Sequence, residues 1–327
     1  MALGKLEYIK NSFNQNFNVC RPALGWKYAF NSILLDVVPH KIRNRSHFCN
    51  RINSNCQKKV MLYLKDNFLD VVNQYNWKKK EHKIGEDCNI WIFWWQGIES
   101  APDIVRTCVE SIKLNASKHK VIVLDQHNYL DYVQLPDYIL EKFHNGKFTI
   151  THFSDLLRVE LLYTYGGIWM DATLYMTRPL DDYIANKFFY TINFNGDGDG
   201  VVKLDRWTSF FLASGKNGNL IGMLRKLFFE YWEREDSLIV YLLIDYFLTL
   251  MYENNKEVQE IIDAVEIGNV DIFNLMPKLN QKISKMKKFD KDTYIFKLTY
   301  KRDFLEMVDG EKTVYGSLIG EKGRFVI

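Results

Sequence analysis

The chain has 327 residues, 47% of them apolar and 15% aromatic, enough to bury a large core and to exclude a mainly disordered protein. The formal net charge is only +3, but residues 1–89 hold 15 Lys/Arg against 7 Asp/Glu, so the basic excess sits in the first quarter. Five scattered cysteines (Cys20, Cys49, Cys56, Cys88, Cys108) with no Cys-x-x-Cys pair argue against a disulfide framework or a zinc site.

Residues 1–86 read as a helical, basic segment. The opening "MALGKLEYIKNSFNQNF" has no apolar h-region, so no secretory signal is expected there. "YAFNSILLDVV" (Tyr28–Val38) and "KKVMLYLKDNFLDVVNQY" (Lys58–Tyr75) carry apolar residues at i, i+3, i+4 spacing and predict two helices. The polar, basic "HKIRNRSHFCNR" (His40–Arg51) lies between them, and "NWKKKEHKIGED" (Asn76–Asp87) reads as a charged linker. The basic residues are diffuse and form no nucleic-acid motif, so no nucleic-acid partner is expected. A solvated face is the ordinary explanation; peripheral contact with an anionic membrane, basic side down, is the one favoured here.

From residue 87 to 327 the texture is that of one α/β domain. "CNIWIFWWQG" (Cys88–Gly97) is a continuous apolar run closed by glycine, as in buried parallel strands. Pro102 then opens a helix, "HKVIVLD" (His119–Asp125) is a second buried strand, and "LPDYILEKF" opens another helix. Strand and helix alternate, which predicts a mostly parallel sheet with ligands at the carboxyl ends of its strands. Gln96, Gly97 and Asp125 are therefore candidate binding residues; Trp95 is a further candidate to flank a ligand, with a core tryptophan as its ordinary explanation. Neither a G-x-G-x-x-G loop after the first strand nor a G-x-x-x-x-G-K-[ST] loop is present.

"SDLLRVELLYTYGGIWMDATL" (Ser154–Leu174) concentrates the chemistry. Ser154 is suited to cap a helix starting at Asp155, and Asp155 and Arg158 then share a face. Gly166 and Gly167 end the helix, and "IWM" reads as a short strand with Asp171 at its carboxyl end. A helix reversing through two glycines brings Asp171 back toward Asp155 and Arg158. Singly, each feature has a structural explanation: a solvated ion pair, an ordinary helix end, a strand-terminal turn.

The stretch "FSDLLRVELLYTYGGIWMDATL" resembles the S-D-x-x-R … Y-G-G-[IV]-[YW]-x-D-x-[DT] core of bacterial glycosyltransferases with a DXD-type sugar-binding region, the capsular polysaccharide synthesis proteins, related to the family 32 glycosyltransferases. "IWIFWWQGIESAPDIVRTCVESI", "LIDYFL" (Leu243–Leu248) and "KLTYK" (Lys297–Lys301) resemble further landmarks of that group, and the likeness spans roughly residues 90–325. The resemblance implies a GT-A type fold and sugar transfer from a nucleotide-sugar donor, UDP-hexose foremost, with retention of configuration. The implied acceptor is a lipid-linked oligosaccharide of a growing capsular or other surface polysaccharide, and the implied location is cytoplasmic, at the inner face of the membrane. Asp155 and Arg158 would hold the donor sugar, with Gly166 and Gly167 beside it. Asp171 would be the first acid of the DXD and the ligand of a Mn²⁺ or Mg²⁺ ion; Thr173 replaces the second acid, which puts metal dependence in question because a hydroxyl is a poor hard-cation ligand. Without an ion, Lys297 and Lys301 are the candidates to neutralise the diphosphate.

The longest apolar run, "LIVYLLIDYFLTLMY" (Leu238–Tyr252), is interrupted by Asp245 and is too short for a membrane span. A buried Asp245 needs a partner; it is a candidate catalytic residue or the mate of a neighbouring arginine. "NGDGDGVVKLDR" (Asn195–Arg206) has Arg206 where a calcium loop needs Glu and reads instead as a mobile loop beside the site. No H-x-x-x-H or G-x-S-x-G occurs. A metal-assisted sugar-nucleotide hydrolase or phosphoesterase and a non-catalytic glycan-binding protein are the two alternatives.

Overall fold

The computed structural model of the chain describes residues 10, 12–43, 45–78, 81–195 and 200–324. Its first long helices are α1 (Trp26–Val37) and α2 (His47–Asn73). The second starts well before the expected Lys58, because Ser46 Oγ accepts from Cys49 N–H (3.3 Å) and caps it. Cys49, Ile52 and Cys56 then extend its buried face toward the amino terminus.

The α/β part follows in the order β1 (Ile90–Phe93), α3 (Asp103–Asn115), β2 (Val121–Leu124), α4 (Asp137–His144), α5 (Ile150–Thr164), β3 (Gly167–Met170), β4 (Leu174–Met176), β5 (Phe189–Thr191), β6 (Phe211–Ser214), α6 (Asn219–Arg234), α7 (Leu243–Asn254), α8 (Lys256–Asp263), β7 (Ile295–Lys297) and α9 (Val314–Gly320). The main sheet has the order β2-β1-β3-β6-β5. β1 is parallel to β2 and β3, while β6 is antiparallel to β3 and β5, so four of the five strands point one way. β4 and β7 form a separate antiparallel ribbon that sets Lys297 opposite Leu174.

Strand alternation sorts the side chains into two cores. Trp91, Phe93, Ile122, Leu124, Trp169 and Leu212 face α5, α6 and α7. Ile90, Ile92, Ile168, Met170 and Ala213 face α3 and α9. The buried faces of α1 and α2 belong to the first core: Phe68 of α2 lies 5.5 Å from the Tyr231 ring and 6.2 Å from that of Phe247.

Two connecting stretches differ from expectation. Asn76–Asp87 is not a free linker among its described residues. Lys78 N–H donates to Asn219 Oδ1 (2.8 Å), Asn219 N–H to Glu81 Oε1 (2.5 Å) and Ile84 N–H to the Lys187 carbonyl (2.9 Å). Glu81 thereby meets the positive end of α6, where an acid is stabilised. Of the loop Asn195–Arg206, residues 196–199 lie outside the described residues; beyond them Lys203 N–H bonds to Thr249 Oγ1 (3.2 Å) and Arg206 Nη1 to Asp263 Oδ1 (2.8 Å), so this half is fastened to α7 and α8.

The reversal between α5 and β3 positions the site. Thr149, not Ser154, caps α5: Thr149 Oγ1 accepts from His152 N–H (3.4 Å), and the helix is already one turn old at Asp155. After Thr164, Gly166 and Gly167 have φ of +73° and +103°. A Cβ on Gly167 would lie 2.3 Å from the Asn89 carbonyl oxygen, where β3 enters the sheet. The conformation and the space both demand glycine. Gly167→Ala is expected to lower the urea midpoint by a stability loss of roughly 3 kcal/mol or more, as for a strained special-φ site with a backbone clash; a midpoint within error of the parent would refute this account of the turn.

Candidate active site

Because α5 is followed by so tight a reversal, its inward face lies against β3 and the carboxyl end of that strand. Asp155 and Arg158, three residues apart on α5, both point there and are buried. Asp171 follows the last residue of β3. Arg158 Nη1 donates to Asp155 Oδ1 at 2.5 Å, and Arg158 Nη2 donates to Asp171 Oδ1 at 3.2 Å. The β4–β7 ribbon delivers the second cation, with Lys297 Nζ donating to Asp171 Oδ2 at 2.5 Å. One chain of contacts, Asp155–Arg158–Asp171–Lys297, thus joins α5, β3 and β7.

Aromatic groups hold this chain in shape. Trp169 shares the Asp171 face of β3 and donates its Nε1–H to Asp171 Oδ1 (3.0 Å). The Arg158 guanidinium lies 4.9 Å from the Trp169 ring centre, and Lys297 Nζ lies 4.7 Å from the ring centre of Phe210. Both are within cation–π range. His152, one turn before Asp155, accepts a hydrogen bond at Nε2 from Trp232 Nε1–H (2.9 Å). Burial pushes the His152 pKa down to about 3, so the ring is neutral and its proton sits on Nδ1. That Nδ1 lies 3.8 Å from Asp155 Oδ2.

Asp245, in the first turn of α7, is also buried. Its Oδ1 accepts from Trp207 Nε1–H at 3.1 Å, and the charges of Asp155 and Arg158 act on it. Its direct partner is therefore an indole, not a neighbouring arginine.

Three carboxyl groups here meet two cations, and they do not share the charge equally. Burial raises Asp155 to about 6; Arg158 opposes this and Asp171 adds to it. Burial, then the charge of Asp155, raises Asp245 to about 7, against the pull of Trp207 and Arg158. Burial also acts upward on Asp171, but Lys297 and Arg158 outweigh it and hold this carboxyl below the ordinary range. The most strongly held anion therefore lies where the side chains of Asp171 and Lys297 keep 29% and 22% of their exposure, and the two acids whose pKa burial raises lie behind it.

The remaining candidates divide. Gln96, Gly97 and Asp125 are on the same carboxyl edge of the sheet; Asp125 lies two strands over from β3, roughly 10 Å away at the usual strand spacing. Asp125 Oδ1 accepts from His127 N–H (2.8 Å) and Asn128 N–H (3.2 Å), and a Cβ on Gly97 would come 3.7 Å from Asp125 Oδ2. Thr173 is half-buried in the turn after Asp171, and its carbonyl accepts from Leu298 N–H (2.9 Å). Gly166 and Gly167 are not brought to the cluster: they lie at the amino end of β3, a full strand from Asp171, and serve the reversal. Trp95 is half-buried. Its ring packs among Phe93, Tyr129, Phe143 and Phe153, because strand alternation turns it into the first core. Trp94 is the tryptophan of that pair on the side of the β7 segment, 5.0 Å from the Tyr300 ring. Lys301 is exposed, and its N–H bonds Thr299 Oγ1 (3.1 Å) rather than the cluster.

Sequence reasoning missed Trp169, His152, Trp207 and Phe210. Two carried a signal: Trp169 is at i−2 of Asp171, hence on its strand face, and His152 is at i−3 of Asp155, hence on its helix face. Trp207 and Phe210 meet their partners only through the tertiary fold.

A divalent ion does not suit the side chains as they stand. Both Asp171 oxygens are engaged, one by Arg158 and Trp169 and the other by the Lys297 ammonium. The next candidate ligand is the Thr173 hydroxyl, and among the described residues no group of three His, Cys, Asp or Glu is placed to hold a metal.

The fold and cluster define an α/β protein with a buried acid–guanidinium–acid–ammonium array at the carboxyl edge of a mostly parallel sheet. The family described as "Capsular polysaccharide synthesis protein" matches residues 41–318, and the chain belongs to it. Curated relatives are fungal. They include the O-glycosyltransferase braB of Annulohypoxylon truncatum (29% identical over 120 residues, 34% of this chain and 28% of that protein). Glycosyltransferase afumC of Aspergillus fumigatus is 31% identical over 102 residues, 28% of this chain and 26% of that protein. The probable glycosyltransferase FCK3 of Fusarium pseudograminearum is 28% identical over 158 residues, 44% and 39%. The chain thus spans only about a quarter to two-fifths of the length of these relatives. Among solved structures, the PaToxG glycosyltransferase aligns with 64% of this chain and 84% of its own at 13% identity and a TM-score of 0.39.

The raised acids give stability a pH dependence. Asp155 and Asp245 bind protons more tightly folded than unfolded, so their contribution is fully present below roughly pH 4, the ordinary carboxyl value. It is lost as pH rises through about 6 and about 7. Asp245→Asn, which keeps an acceptor for Trp207, is expected to flatten the fall in melting temperature between pH 4.5 and 8. An unchanged slope would show that Asp245 is not proton-coupled to folding.

Proposed function

We propose that this protein is a retaining glycosyltransferase of GT-A type that moves a hexose from a UDP-linked donor to a lipid-linked oligosaccharide, a step in making a capsular or other surface polysaccharide. Family membership and the shared segment in curated glycosyltransferases support sugar transfer. The single observation that carries the reading is the Asp155–Arg158–Asp171–Lys297 chain of contacts at the carboxyl edge of the sheet.

Transfer requires that the donor sugar be gripped and that charge leaving with the diphosphate be neutralised. Carboxylates accept sugar hydroxyls in strong charge-assisted bonds, which suits Asp155 and Asp171. The rigid Arg158 fork sets the spacing between them. Lys297 has three donors and uses one on Asp171, so it is equipped to meet the diphosphate at the mouth. In the proposed step the acceptor oxygen bonds to C1, the C1–O bond to phosphate breaks, and the acceptor proton passes to the departing phosphate oxygen on the same face. Asp245 stands behind the sugar as an acid whose pKa burial raises to about 7, able to hydrogen-bond a hydroxyl as donor or acceptor.

The donor set argues for a reaction that runs without a divalent ion, with Lys297 as the resident counter-charge. No helix among the described residues is long and apolar enough to cross a membrane, and the proposed place of action is the inner face of the cytoplasmic membrane.

A panel of nucleotide sugars incubated with the protein, with released nucleotide as readout, tests the reading. Asp155→Ala, Asp171→Asn and Lys297→Met are each expected to lower turnover at least ~100-fold, the scale of losing one preorganised electrostatic group. Failure to bind or turn over any nucleotide sugar would overturn the assignment. Excess EDTA is expected to change the rate by less than about twofold, since no metal-held charge is lost. A large loss on chelation, restored by Mn²⁺, would defeat the resident-cation account while leaving sugar transfer standing.

A further inference from the structure

The amino-terminal helices bury one apolar face and leave a second one bare. On α1, Tyr28, Ala29 and Leu35 are buried against the body, whereas Trp26, Phe30, Leu34 and Val37 are 56%, 60%, 42% and 50% exposed. The exposed four recur at i, i+4, i+8 and i+11, a single stripe along the helix. Two rings from the preceding segment extend it. Phe17 lies 5.5 Å from both Trp26 and Phe30, and Phe13, 50% exposed, stacks on Phe17 at 4.3 Å. A contiguous aromatic patch of this kind is more than scattered surface hydrophobics.

Its surroundings are basic. Between residues 8 and 65 the chain has ten Lys/Arg and one acidic residue, Asp36, which accepts a hydrogen bond from Ser12 Oγ (2.5 Å). The Arg21 guanidinium lies 4.5 Å over the Trp26 ring. Beside the stripe, a cavity of about 230 Å³ between α1 and α2 is lined by Lys27, Lys58 and Lys59 together with Asn31 and Asn55. The patch is also anchored: Gln15 Nε2 donates to the Leu238 carbonyl (2.6 Å) and Cys20 Sγ to that of Ile239 (3.3 Å), in the loop leading into α7.

We infer that this face is a membrane-docking surface for an anionic bilayer. The rings of Phe13, Trp26 and Phe30 enter the interfacial layer and the lysine-lined cavity meets lipid phosphates. Aromatic residues flanked by cations are what an interfacial helix needs, the rings for the headgroup–acyl boundary and the cations for the surface potential. A second copy of the chain suits the face poorly, because mating it with itself sets like charges against like. The inference rests on the surface alone and stands apart from the donor chemistry; it adds where the acceptor is met, since the docked segment is tied to the loop before the helix carrying Asp245.

Co-sedimentation of the full chain with vesicles of phosphatidylcholine containing one-third phosphatidylserine tests it. Binding is expected to exceed that to pure phosphatidylcholine by about tenfold or more and to weaken steeply with salt. A Trp26→Ser/Phe30→Ser variant is expected to lose about tenfold in binding while its thermal unfolding and nucleotide-sugar turnover are unchanged. A Lys27→Glu/Lys58→Glu/Lys59→Glu variant, altered only on the rim, separates charge from packing and should lose the preference for anionic vesicles. Equal binding to both vesicle types, or full binding by either variant, overturns the proposal. So does a concentration-dependent dimer in light scattering that the same substitutions abolish, without vesicle binding.

Discussion

Asp171 sits between two cations, one from the neighbouring helix and one from a strand far along the chain. Arg158 approaches from a helix thirteen residues earlier, Lys297 from a ribbon 126 residues later. This doubly held carboxylate is the constraint around which the site is organised. Without Arg158, Asp155 and Asp171 would be two buried acids facing each other. Without Lys297, Asp171 would lose the charge that keeps it ionised at the mouth. A buried ion array is not assembled for stability, since desolvation offsets most of its attraction. An array of this kind fits groups preorganised for a charged substrate.

The array also sorts charge by depth. Asp171, held below the ordinary carboxyl range, and Lys297 are partly exposed; Asp155 and Asp245 lie deeper and hold their protons more tightly. In the proposed reaction the diphosphate meets the accessible end and the neutral sugar the buried end. The tryptophans turned toward the acids, Trp169 and Trp207, each donate one N–H and otherwise exclude water, which strengthens the remaining electrostatics.

The helical amino-terminal segment follows the same economy at larger scale. α2 is bound into the first core through Phe68 and its neighbours, while α1 divides its apolar residues between that core and the outside. A helix apolar on two faces conflicts with simple solvation, and such conflicts between local pattern and global fold mark functional surfaces. The proposed bilayer contact resolves this one.

Much of the site is legible in the sequence, for identifiable reasons. Asp155 and Arg158 lie within one helical turn of each other, and Asp171 is separated from them only by a glycine reversal, so their meeting is a matter of local geometry. The continuous apolar run at Ile90–Phe93 likewise announces a buried strand by itself. Long-range placement was less accessible. Lys297 was a candidate, but its bond to Asp171 exists only because β7 pairs with β4 in one register. Lys301, four residues on, has the same chemistry and stays in solvent. Trp94 and Trp95 are indistinguishable as letters; strand direction alone turned one into the core and the other toward Tyr300. The amino-acid order determined which residue types would share a helix face, a strand face or a turn, because those periods are properties of the backbone. Tertiary structure decided which distant element would supply the second cation, the indoles and the outer apolar face, because those contacts depend on how sheets and ribbons align, which no short stretch encodes.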